Sequence, residues 1–329
     1  MACPCARPPC FGWVRTLNHI FMSRVSRHLR IGTRGSPLAL AQANLVRNQL
    51  AASWPDLPQA DIVVIKTTGD RIQDRKLEEL GGKGLFTKEI EEALIESRID
   101  LAVHSMKDMP TQLPDGLVIA CLLKRADPRD ALISPHGRTL AELPLHSTVG
   151  TSSLRRQAQI LASRPDLKVV MLRGSVGTRL AKVEAGAVDA TLLAFAGLFR
   201  LGLADKASGI LSAEEMLPAV AQGAIGVEVR ASDFRLQDLL APLNDPATSL
   251  AVSAERACLA VLDGSCRTPI AAFAEPGPEG TFRLRSMIAL PDGTGLRRDD
   301  RQGAVHSVAE AQAMGRLAGA ALRDAGGQQ

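Results

Sequence analysis

The segment 29–53, LRIGTRGSPLALAQANLVRNQLAAS, decides the fold. Leu29–Thr33, with Leu29 and Ile31 alternating with Arg30 and Gly32, reads as a strand. Pro37, at the first turn of an Ala- and Leu-rich run, predicts a helix that reaches Ser53. Between them Arg34-Gly35-Ser36 sets a cation and a capping hydroxyl at a helix start, where unpaired backbone N–H groups attract anions. The same order returns at 147–164, STVGTSSLRRQAQILASR, with a strand running into a helix at Ser153–Arg164. It returns once more where the strand Lys168–Arg173 leads through Arg173-Gly174-Ser175-Val176-Gly177-Thr178-Arg179 into a helix at Val176–Gly186.

Working outward, Asp61–Thr68, Asp100–Ser105, Gly116–Leu123 and Asp189–Ala194 read as strands and Thr87–Arg98 as a helix. Strands alternating with helices at this spacing predict two α/β units. Ala126–Asp130 reads as a crossing from the first unit to the second, and Gly223–Arg230 as a strand that returns the chain to the first. After Pro246 the pattern changes to a helix at Thr248–Leu262, strands at Ile270–Ala274, Phe282–Leu290 and Leu296–Gln302, and a helix at Ser307–Asp324. Pro291-Asp292-Gly293 supplies a hairpin turn. The expected division is residues 29–125 with 223–241, residues 126–222, and a small α+β unit at 246–329.

Composition narrows the function. A chain of 329 residues with net charge +4 is too mildly basic to indicate nucleic acid, and 3% aromatics with no Tyr leaves no base-stacking surface. No apolar run reaches the roughly 18 residues of a membrane span. The first 28 residues hold no Asp or Glu and carry Arg7, Arg15, Arg24 and Arg27. They read as an unstructured extension, or as residues ahead of a true start at Met22, although a transit peptide shares that composition. Of six cysteines, Cys3, Cys5 and Cys10 lie in the first ten residues and Cys121, Cys258 and Cys266 are dispersed; neither group has zinc spacing, which points to a reducing, cytoplasmic setting.

Taken singly, Ser36, Ser153 and Ser175 are ordinary helix caps; three such loops with Arg34, Arg155, Arg156, Arg173 and Arg179 describe a polyanion site. Lys107-Asp108, at the end of an apolar strand, is either a surface ion pair or a carboxylate kept ionised beside cations in a cleft. Gly81–Phe86 lacks a P-loop ending and reads as a plain or covering loop. Cys121 and Cys258 fall in apolar patterns and read as core. Cys266 stands in a loop beside Arg267, which favours its thiolate.

Seven strings in this order carry a resemblance: TRGSPLALAQ (33–42), GGKGLF (81–86), AVHSMKDMP (102–110), DPRDA (127–131), VGTSSLRRQ (149–157), LRGSVGTR (172–179) and DGSCRTPI (263–270). Together they resemble the hydroxymethylbilane synthases, or porphobilinogen deaminases. Two positions depart from that family's pattern: Ser175, where Asn is frequent, and Ser265, where a second Gly is common. The resemblance implies two periplasmic-binding-protein-like units with parallel or mixed sheets, plus a small C-terminal domain carrying the cofactor cysteine. It implies a dipyrromethane cofactor on a thioether to Cys266, contacted by Lys107, Ser36, Ser153, Arg155 and Arg156. Porphobilinogen, the implied substrate, would meet Arg34, Arg173, Arg179, Arg200, Lys83 and Phe86, with Asp108 as the catalytic carboxylate and neither nucleic acid nor membrane involved. A monomer of this kind would serve porphyrin biosynthesis. The competing class is a non-catalytic bilobal module that binds a polycarboxylate. It would use the arginines but require neither Cys266 nor Asp108.

Overall fold

The structure, a computed structural model, describes residues 28–71, 86–262 and 268–324. Its strands in chain order are β1 (Arg30–Thr33), β2 (Asp61–Val64), β3 (Leu101–Ser105), β4 (Leu117–Leu122), β5 (Asp130–Ile133), β6 (Thr148–Gly150), β7 (Lys168–Val170), β8 (Ala190–Ala194), β9 (Gly209–Ile210), β10 (Ile225–Arg230), β11 (Ile270–Pro276), β12 (Thr281–Ile288) and β13 (Arg297–Ala304). The helices used below are α1 (Pro37–Ser53), α2 (Lys88–Ile95), α3 (Leu154–Ser163), α4 (Val176–Glu184), α5 (Phe195–Arg200), α6 (Phe234–Leu240), α7 (Pro246–Val261) and α8 (Val308–Asp324).

Two five-stranded sheets share one plan, β2-β1-β3-β10-β4 and β7-β6-β8-β5-β9. In each, four strands run in one direction, and one strand that arrives from the other unit lies antiparallel to them: β10 in the first, β5 in the second. The short apolar strands explain the burial. Ile31, Leu101, Val103 and Val227 pack with Val46 and Leu50 of α1 and Leu236 and Leu240 of α6, while Leu132, Val149, Ile160 and Leu192 form the second core. The strand expected through Thr68 stops at Val64, because Thr68 turns toward α2 and donates its backbone N–H and hydroxyl to Glu89 (2.8 and 2.5 Å). The segment read as a crossing runs directly into β5.

The chain passes between the two sheets twice, along residues 123–129 and 211–224. These passages are tied together: Ala126 N–H donates to Gly223 O (3.3 Å) and Arg125 Nε to Gln222 O (2.9 Å). Gly223 has φ +89°, and a Cβ there would lie 2.5 Å from Ala126 O, so only glycine allows the two passages to lie this close. The third unit is the antiparallel meander β11-β12-β13, with α7 and α8 packed together over it. Glu255 of α7, fully buried, accepts from Arg125 (2.6 and 3.1 Å), from Ala221 N (2.6 Å) and from Ala274 N (2.8 Å). One carboxylate thereby joins the meander to both passages. No helix among the described residues is long and apolar enough to cross a membrane.

Candidate active site

In each large sheet the chain moves outward from one central strand and returns on its other side, β1 to β2 to β3 and β6 to β7 to β8. Loops that leave the carboxyl ends of such neighbours splay apart and open a crevice. Arg34-Gly35-Ser36 leaves β1, and the single turn Met106–Asp108 leaves β3. In the second sheet Thr151–Ser153 follows β6.

The first crevice is a narrow recess of about 60 Å³ lined by residues including Arg34, Ser36, Phe86, His104, Ser105 and Asp108. Arg34, Ser36, Phe86 and Asp108 are thus brought together. The Arg34 guanidinium stacks on Phe86, 4.2 Å from the ring centre, a contact that orients a planar cation. Ser36 caps α1, its Oγ accepting from Ala39 N (3.2 Å). Behind the recess Gln42 donates to Ser105 Oγ (2.8 Å), and His104 Nε2 lies 2.9 Å from Oε2 of the buried Glu228.

The turn that carries Asp108 is seated on Gly226 of β10. A Cβ at Gly226 would stand 2.1 Å from Met106 Sδ, so Gly226→Ala must displace Met106 and with it the adjoining Lys107 and Asp108. The expected outcome is a stability loss of about 1–3 kcal/mol from overpacking together with a fall in turnover. Denaturant melts and steady-state assays on the variant measure both.

Across from this turn, Arg155 and Arg156 are buried at the start of α3, and their first contact is internal. Arg155 Nη2 and Arg156 Nη2 each donate to one oxygen of Asp130 (2.7 Å each), and Gln222 Nε2 donates to the same carboxylate (2.9 Å). Arg155 Nη1 donates to Leu217 O (2.7 Å) and Arg156 Nη1 to Leu192 O (2.8 Å). The Nε–H of each arginine is buried without a hydrogen-bond partner. Burial alone would raise the Asp130 pKa. The attraction of Arg155 and Arg156, with hydrogen bonds from Arg156 and Gln222, outweighs it and holds the carboxyl well below the usual carboxylate range.

One carboxylate between two guanidinium groups leaves the pair net positive, and further cations gather there. Lys107 is reached by solvent yet walled by protein within the cleft. That enclosure lowers its pKa, Asp108 opposes the shift, and Arg156 adds to it. Arg179 is pushed down to about 10, first by burial and then by Arg156 and Arg173. Its Nε donates to Gly174 O (3.0 Å). Lys107 belongs to the first sheet's turn and the arginines to the second unit, so the positive cluster spans the cleft between them.

Asp130→Asn leaves two guanidinium groups facing a neutral amide, which is expected to cost about 3–5 kcal/mol, the scale for orphaning a buried ion pair. Because the Asp130 pKa is depressed on folding, its contribution is complete above the unfolded value near 3.9 and is lost as pH falls toward the folded value. Urea melts at pH 7 and at pH 3 should therefore show a gap between wild type and variant that shrinks in acid. An equal gap at both pH values would contradict the assignment.

Other expected site residues make contacts of their own. Ser153 caps α3, accepting from Arg156 N (3.4 Å), and Ser175 caps α4, accepting from Thr178 N (3.2 Å). Arg200, at the end of α5, donates Nη2 to Gly223 O (2.6 Å), and burial lowers its pKa to about 10. Lys83, Ser265 and Cys266 lie outside the described residues, as does the head of the chain. Cys121 and Cys258 are buried free thiols, as their apolar patterns predicted. Sequence reasoning missed Asp130 and Gln222 as partners of the arginines. Asp130 sits in the quoted DPRDA string, but a strand carboxylate bears no local sign of guanidinium groups 25 and 26 residues away.

Comparison with known proteins gives the chain its family. Residues 29–238 match the family model for the porphobilinogen deaminase dipyromethane cofactor binding domain, and residues 249–324 match its C-terminal domain. A periplasmic binding protein of Salmonella typhimurium, described for high arginine specificity, aligns at TM-score 0.36 and 13% identity over 68% of this chain and 94% of its own. The porphobilinogen deaminase of Paracoccus denitrificans is 56% identical over 87% of this chain and 91% of its own. The chloroplastic porphobilinogen deaminase of Oryza sativa subsp. japonica is 55% identical over 84% of this chain and 78% of its own. That of Nitrobacter winogradskyi is 53% identical over 91% of this chain and 94% of its own. With two family models spanning nearly all the described residues, this chain belongs to the porphobilinogen deaminase family.

Proposed function

We infer that the chain is a hydroxymethylbilane synthase that joins four porphobilinogen molecules head to tail, with loss of ammonia, and then releases the linear tetrapyrrole by hydrolysis. The observation that carries the chemistry is one carboxylate, Asp108, which shares a recess with Arg34 and adjoins Lys107, itself within electrostatic reach of Arg155 and Arg156 of the second unit. Each pyrrole brings an acetate and a propionate, so the growing chain gains negative charge at every addition. A cleft lined by Lys107, Arg155, Arg156, Arg173 and Arg179 offsets that gain with charge-assisted hydrogen bonds.

The residues also fit the family's dipyrromethane cofactor. The buried, unpartnered Nε–H donors of Arg155 and Arg156 and the net positive charge around Asp130 both call for an anionic group in the cleft. Lys107, Arg155 and Arg156, with Ser36 and Ser153 at their helix starts, would hold its carboxylates, and Cys266 would carry its thioether. When bound, the group supplies the nucleophilic pyrrole carbon to which the first substrate is joined.

Asp108 has two tasks. Loss of ammonia from substrate develops positive charge on the methylene-pyrrole, and an oriented carboxylate lowers that barrier. The same oxygens take up the proton released from the ring and relay one to the departing amine. Arg34, kept flat against Phe86, would receive a substrate carboxylate at the recess, and Lys83 and Arg200 are assigned to the same charge.

We assign residues 29–125 with 223–241, 126–222 and 246–329 as the three domains, supported by the separate sheets each contains. The two free buried thiols favour a reducing cytoplasm, and we take the active form as a monomer.

The direct test is intact mass and product. Purified protein should exceed its sequence mass by two deaminated pyrrole units, and added porphobilinogen should yield tetrapyrrole with four equivalents of ammonia. Binding of porphobilinogen without added mass or ammonia release would favour the non-catalytic module instead.

A further inference from the structure

Asp108 is followed by a stretch with no regular structure of its own. Residues 109–111 belong to no helix or strand, and Pro110 has no N–H to donate. On one side this stretch borders a cavity of about 740 Å³, lined in part by Met106, Thr111, Val252, Arg256 and Arg316. Side-chain packing anchors its first residue, Met109, which is buried in one core with Met106.

One side chain holds the backbone carbonyls of all three residues. Arg256, half-buried on α7, donates Nη1 to Met109 O (3.3 Å) and Nη2 to both Pro110 O (2.5 Å) and Thr111 O (3.2 Å). These are the three consecutive carbonyls after Asp108. Among the described residues no carboxylate pairs with Arg256 in an ion pair, so its charge is met by these carbonyl dipoles. Burial lowers the Arg256 pKa, which marks the desolvation this arrangement bears. A planar guanidinium that spans three carbonyls fixes the direction in which the chain leaves the turn, as a single ammonium could not.

We propose that Arg256 is a positioning residue for condensation, acting through the 109–111 backbone to hold Asp108 in its productive place. It does not touch the recess and takes no part in gathering substrate carboxylates. The inference rests on the role given to Asp108 above.

The test is a double-mutant cycle on full-length protein carrying its cofactor. Arg256→Met keeps the length of the side chain and removes every donor. Its kcat should fall on the order of 10–10²-fold, the scale of a displaced catalytic group. KM for porphobilinogen should stay within about threefold of wild type and the cofactor mass should be retained, because the arginine cluster is untouched. Arg256→Lys, which reaches fewer carbonyls, should lose less. If Arg256 acts through Asp108, the Arg256→Met/Asp108→Asn protein turns over no more slowly than Asp108→Asn alone. Normal kcat in Arg256→Met, losses that multiply in the double variant, or a defect confined to KM or cofactor content would each overturn the proposal. Should Arg256→Met fail to fold, Arg256→Lys carries the same cycle with the same criteria. Normal Arg256→Met beside a slow Asp108→Asn sinks this inference alone. Normal turnover in Asp108→Asn sinks the role of Asp108 and this inference with it.

Discussion

Cys266→Ala should fold, carry no covalent pyrrole and make no tetrapyrrole. Cys266 follows α7 in a Gly- and Ser-containing sequence, and Arg267 beside it favours the thiolate that forms a thioether. The other two cysteines past the head of the chain cannot replace it. Burial pushes the Cys121 thiol up to about 12 and the Cys258 thiol up to about 11, and both are enclosed in apolar cores. Intact mass should read the bare sequence for Cys266→Ala, and acid with an aldehyde reagent should leave it colourless. Cys258→Ala, by contrast, should keep its colour and its activity. A coloured, active Cys266→Ala protein would remove the attachment site from this cysteine.

Asp108→Asn should slow condensation by about 10²–10³-fold, the scale of losing one oriented electrostatic partner. The amide keeps the shape and one acceptor of the carboxylate while losing the charge that offsets the cationic methylene-pyrrole and the basicity that accepts its proton. Substrate capture should survive, because the carboxylates still meet Arg34 and the cluster across the cleft. KM should therefore change little, and enzyme–substrate adducts should accumulate where wild type shows few. Rapid-quench mass spectrometry separates slow joining from failed binding. Near-normal turnover with normal cofactor mass would take Asp108 out of the chemistry.

Much of this was legible in the chain itself, for identifiable reasons. Pro37 at a helix start and Ser36, Ser153 and Ser175 as caps are local signals, and the structure places all three hydroxyls on the backbone N–H groups that such caps serve. Arg34, Ser36, Phe86 and Asp108 converge because neighbouring parallel strands send their loops to one end, a consequence of strand order rather than of any single motif. What stayed hidden is long-range. β5 and β9 are short, at four and two residues, and owe their existence to partners supplied by the sheet. The Asp130 clamp joins residues whose side chains carry no mark of one another in sequence. Arg256 reads as a charge on an amphipathic helix until the carbonyls of residues 109–111 are seen beside it.

The paired passages between the two large sheets decide how this molecule can change shape. Because residues 123–129 and 211–224 are stitched to each other and both are fastened to Glu255, they behave as one ribbon rather than two independent tethers. A ribbon of this kind resists sliding and shear, which would tear its cross-links, and yields most easily to bending along a single line. The two units are thus left one soft rotation, a book opening about its spine. A product that lengthens by one ring at a time while anchored at one end must be housed by widening along that rotation. The spine is fastened to the unit assigned the anchor, so every increment of opening is measured from the point where the chain is held.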